Sequence, residues 1–113
     1  MLTLVVVTML SMAANKADPV EVARKNFNNC VIEAHNTAMK EKMSVADYKA
    51  GTATRCADQR KVYWDAQVKA ERRYSNQKDA EAYANDEVKI ITDSNEDSYE
   101  TNFESKATIT PEK

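Results

Sequence analysis

Apolar side chains recur at steps of three and four along most of this chain. Over residues 19–43 they are Val20, Ala23, Phe27, Cys30, Val31, Ala34 and Ala38, which places them on one face of an amphipathic helix. Its start is marked by Asp18 as a cap for free N–H groups, Pro19 where no donor is needed, and Glu21 in a capping-box arrangement. A second stripe, over 45–75, begins after Ser44, a hydroxyl cap with Asp47 three residues on. It comprises Val45, Tyr48, Thr52, Cys56, Gln59, Tyr63, Ala66 and Ala70. The third, over 79–104, comprises Ala80, Ala84, Val88, Ile91, Tyr99 and Phe103, and it lapses near Asn95. Alternation of the strand type is missing, and one Gly with two Pro leaves little turn chemistry to divide the helices.

Folding the chain back at Ser44 sets the first two stripes against each other. Cys30 then comes level with Cys56, Ala38 with Tyr48 and Ala23 with Tyr63, so that large faces small. The spacing predicts an all-α fold, an antiparallel three-helix bundle built on a helical hairpin closed by a buried Cys30–Cys56 disulfide. The alternative is two long helices, the second running unbroken through the polar stretch Ser75 to Asp79, which would leave half an apolar face uncovered and require a dimer.

The first residues change the setting. Met1 to Met12 is an apolar run too short to span a bilayer, and small residues follow it, so residues 1–13 read as a signal peptide. Residues 14–104 are then the helical domain and 105–113 a flexible tail. Export to the periplasm or the medium follows, with no transmembrane segment in the mature chain and an oxidising environment for the cysteines. All three leucines (Leu2, Leu4, Leu10) lie in that leader. The core must be built from Val, Ile, Met, Tyr and Ala, so a covalent staple is of use.

Charge is bipolar: net +5 through residue 78 and −7 from residue 79 on. A third helix folding back would bring Asp79, Glu81, Asp86 and Glu87 near Arg60, Lys61, Lys69, Arg72 and Arg73. The basic stretch 55–73 is only +3 in a chain of net −2, which argues against nucleic acid as a partner.

Candidate chemistry is sparse. Asp93, Asn95, Asp97 and Glu104 fall at positions one, three, five and twelve of a segment that resembles the calcium-binding loop of the EF-hand family. That resemblance implies calcium as a ligand, although Ser98 stands where the family has its turn glycine. The same acids also recur at steps of three and four, as a solvated helical face would. His35, the one histidine, lies beside the core face of the first helix without a nucleophile or carboxylate to converge on it. Phosphate-loop, nucleophile-elbow and dinucleotide motifs need more glycine than the chain has. Tyr63 and Trp64, flanked by Arg60 and Lys61, have the composition of a protein interface. The expectation is a small exported helical protein, not an enzyme and without a resident cofactor, that binds another protein or envelope component as a monomer or homodimer. Calcium binding through 93–104 is the alternative.

Overall fold

The computed structural model describes residues 17–113. The leader of residues 1–13 lies outside them. Four helices follow one another: α1 (Pro19–Lys40), α2 (Val45–Ala50), α3 (Ala57–Glu71) and α4 (Gln77–Asn102). The chain is all-helical over these residues, and among them no helix is long and apolar enough to cross a membrane. α1 pairs with α3, and α4 packs along α3, α1 and α2. The three-helix bundle on a disulfide-linked hairpin is therefore observed, with the middle arm in two pieces.

The caps form as the sequence predicts. The Asp18 carboxylate accepts from Val20 N–H at 2.9 Å, Ser44 Oγ from Asp47 N–H at 3.1 Å, and Asn76 Oδ1 from Asp79 N–H at 2.8 Å. The last of these separates α3 from α4, so the middle arm does not run on.

The continuous helix expected over 45–75 breaks at Gly51 to Cys56. Gly51, Thr52 and Thr54 are weak helix formers, and Cys56 takes a left-handed conformation at φ 55°. Two arginines hold the bend. Arg55 donates to the Tyr48 carbonyl at 2.5 Å and lies 3.7 Å over the Tyr48 ring, and Arg60 donates to the carbonyls of Thr52 and Ala53. A Cβ at Gly51 would sit 2.8 Å from Arg55 Nη2, so a side chain there would make the guanidinium shift.

The Cys30–Cys56 bridge forms, with Cα atoms 6.1 Å apart. Contrary to expectation it is half-buried and lines surface grooves, because the bend at 51–56 turns the end of α2 away from α1 and leaves the sulfurs at a rim.

The apolar interior is divided into three clusters. Ala23, Phe27, Val31, Tyr63 and Ile91 form one, Ala38, Met39, Tyr48 and Tyr99 a second, and Val68, Ala80 and Ala84 a third. Between the first two lies a polar layer that explains the lapse in the third stripe. Asn95, buried in α4, accepts from Tyr48 Oη at 2.7 Å and donates to the Val31 carbonyl at 3.0 Å. His35, expected at the core edge, is fully buried because α4 covers a second face of α1. Its ring stands edge-on to Tyr99 and Tyr48, which are themselves stacked at 3.9 Å. Tyr99 Oη donates to the Met43 carbonyl at 2.5 Å. Burial pushes the Tyr48, Tyr63 and Tyr99 hydroxyls above the ordinary tyrosine range, so they remain protonated donors at neutral pH. Among the described residues every buried side-chain polar atom has a partner, as a polar layer of this kind requires.

The expected pairing of the basic middle arm with Asp79, Glu81, Asp86 and Glu87 does not form among the described residues. Arg60 instead caps the bend, Lys61 pairs with Asp65 on its own helix, and the ion pair joining the middle arm to α4 is Lys49–Glu100 at 2.9 Å.

At the end of α1 a Schellman closure forms, Met43 N–H to the Ala38 carbonyl and Lys42 N–H to that of Met39. It places Lys42 at φ 58°, where a side chain is strained. Lys42→Gly should therefore stabilise the fold by about 1 kcal/mol. The expected result is a higher urea midpoint at unchanged slope, and a lowered midpoint would contradict the assignment.

Candidate functional site

α1 is rich in asparagine, a poor helix former, and three of these residues share an outward face with Arg24. Asn29 and Asn36 are seven residues apart and so nearly in line, separated along the axis by about 10.5 Å. Three residues of extended chain span about 10 Å. The two spacings match, and the segment after α4 uses the match.

Residues 105–113 were expected as a flexible tail. They instead return along α1, antiparallel to it, as a strap. Asn36 Oδ1 accepts from the Ile109 N–H at 2.9 Å while its Nδ2 donates to the Ile109 carbonyl at 2.8 Å. Asn29 repeats the pattern on Glu112, with Oδ1 accepting from N–H at 2.8 Å and Nδ2 donating to the carbonyl at 2.9 Å. Each side-chain amide thus satisfies both backbone groups of one residue. Between them Pro111, which has no N–H to satisfy, biases Thr110 toward the extended conformation the match requires.

The strap also carries a charge anchor. The Glu112 carboxylate receives both terminal nitrogens of Arg24, at 2.9 and 2.7 Å, and Asn28 Nδ2 at 2.6 Å. Arg24 is held from its other side by Glu21. Two carboxylates raise the Arg24 pKa further, so the guanidinium is a fixed positive charge.

The clamp is tied to the interior. His35 Nδ1–H donates to Asn36 Oδ1 at 2.9 Å, and Asn102 Nδ2 donates to His35 Nε2 at 3.4 Å. This sets the imidazole tautomer and fills the second lone pair of the Asn36 oxygen. Beside Pro111 a groove of about 660 Å³ opens, with Asn26, Glu33, Lys40 and Gln59 at its edges.

The residues singled out from sequence fare differently. Tyr63 is buried against Phe27, ring centres 6.1 Å apart, and offers no surface. Trp64 is half-buried, packs on the Val68 cluster and donates its indole N–H to Asn85 at 2.8 Å. With Arg60, Lys61 and Val88 it lines a groove of about 360 Å³ between α3 and α4. Lys61 pairs with Asp65 at 2.9 Å.

The acidic segment does not form the expected calcium loop. Residues through Asn102 continue α4, which sends Asn95 into the core and leaves Asp93 paired with Lys89 on the outside. Asp97 and Glu104 are exposed, and no cluster of three or more acids, histidines or cysteines suited to a metal occurs among the described residues. The acidic stripe at steps of three and four is the arrangement observed.

Sequence reasoning missed Arg24, Asn28, Asn29, Asn36 and Glu112. The available signal was the heptad separation of two helix-disfavoured asparagines together with the β-branched, Pro-containing run Thr108 to Glu112. No family model, curated protein or solved structure matches the chain.

Arg24, then Asn28, holds the Glu112 carboxyl down to about 2, from a usual 4.5. A depressed carboxylate contributes stability above its unfolded value and loses it as pH falls through the folded one. The Glu112 anchor should therefore weaken from about pH 4.5 down toward 2. Carboxyl carbon shifts of Glu112 should titrate with a midpoint near 2, and a midpoint at 4.5 would contradict the Arg24 pairing.

Proposed function

We propose that this chain is an exported, non-catalytic helical protein, periplasmic or secreted, that acts by binding another protein or an envelope component. The observation that carries the reading is the open groove between α3 and α4. It combines a half-buried indole, an aliphatic wall at Val88 and the cationic rim of Arg60 and Lys61. An aromatic beside an arginine is the composition favoured at the centres of protein interfaces. Trp64 needs no ordering on binding, since its indole N–H is already held by Asn85, which lowers the entropic cost of association.

Export is supported by the apolar run at the start of the sequence and by the Cys30–Cys56 bridge, which persists in oxidising compartments.

A photo-activated cross-linking residue placed at Lys61 in the intact producing cell should give a discrete adduct with an envelope component. The same residue at exposed Asp47, beyond the bend, should not. Equal adducts from both positions, or none from position 61, would contradict the reading.

A further inference from the structure

We propose that the asparagine-lined face of α1 is a recognition site for an extended peptide of a partner protein, with an acidic residue three positions after an aliphatic one, and that the strap is its built-in competitor. The pattern is the one the strap itself presents, Ile109-Thr110-Pro111-Glu112.

The contacts point that way. Four of the hydrogen bonds are made to the backbone of two residues, and three more to one carboxylate. Backbone groups are common to every extended chain, so Asn29 and Asn36 select conformation and spacing, while Arg24 and Asn28 select the acid. Thr108, Thr110 and Lys113 stay exposed and add little that is particular to this segment. None of residues 104–113 enters any of the three apolar clusters. The strap can therefore leave without removing a member of those clusters.

Two of the four receptor side chains have a second partner outside the strap. Asn36 is held by buried His35, and Arg24 by Glu21. The groove beside Pro111 leaves room for side chains larger than those of the strap.

The strap is joined to α4 by a short exposed connection, residues 104–108, so it competes at an effective concentration in the millimolar range. A partner peptide must outbid that, or the strap must first be weakened. Glu112→Ala weakens it selectively, since the backbone clamps of Asn29 and Asn36 are untouched by the change.

The test uses the oxidised full chain, isotopically labelled, titrated with an unlabelled peptide of the sequence of residues 106–113. In the Glu112→Ala chain the peptide should bind, and the chain's own Ile109 amide should move to its free position. In the wild-type chain the same displacement should need at least about tenfold more peptide. A peptide carrying Ala for its Glu should bind at least about tenfold more weakly. Asn29→Ala should abolish binding in the Glu112→Ala background with the helical signal intact; it is preferred to Asn36→Ala because Asn36 also holds His35. Failure of the peptide to displace the strap at millimolar concentration in the Glu112→Ala chain would overturn the proposal, as would equal binding of a scrambled peptide. This outcome is independent of the α3–α4 groove.

Discussion

A single covalent bond, Cys30–Cys56, joins the middle of α1 to the residue that opens α3, at the point where the middle arm has just bent. Cys56 is held there in the left-handed region, a conformation that costs a non-glycine residue free energy and persists only where its surroundings over-determine it. The bond matters because the apolar material is thin. The interior is divided into three small clusters, and the layer between two of them is polar. A chain with so little buried aliphatic area gains from removing loop entropy in the unfolded state. Across the polar layer, Asn95 ties α4 to both α1 and α2 in one residue, so the cross-link and the layer act on the same hairpin.

Much of this was legible in the pattern of apolar positions. The starts at Asp18 and Ser44, the level pairing of Cys30 with Cys56, and the clustering of Ala38 with Tyr48 and of Ala23 with Tyr63 all follow from helical period and capping chemistry. The break at 51–56 was harder to read, because Tyr48, Thr52 and Cys56 keep the helical spacing across it. The bend is held by side chains of the same segment: Arg55 and Arg60 donate to carbonyls of Tyr48, Thr52 and Ala53 at the end of α2 and in the bend. Asn95 marked itself by interrupting an apolar stripe, yet its role required knowing that Tyr48 would face it. The acidic segment matched a calcium loop in letters only, since the helix that carries Tyr99 into the core leaves no room for a loop.

The candidate surfaces divide in the same way. Trp64 with Arg60 and Lys61 was visible as composition, though its neighbour Tyr63 turned inward. The asparagine face of α1 was not, because its meaning lies in a match of lengths: two helical turns against three extended residues, brought together only when the chain after α4 doubles back. Asparagine in a helix is a local cost, and here the side-chain amides recover it by bonding both backbone groups of a facing residue.

The dependence of the fold on its cross-link can be measured by urea unfolding of the oxidised chain against the Cys30→Ser, Cys56→Ser chain, followed by the near-ultraviolet signal of the stacked Tyr48 and Tyr99. Closing a loop with a sequence separation of 26 predicts a loss of about 3 to 4 kcal/mol in the serine chain. Stabilities equal to within about 0.5 kcal/mol, with the tyrosine signal retained, would contradict the account.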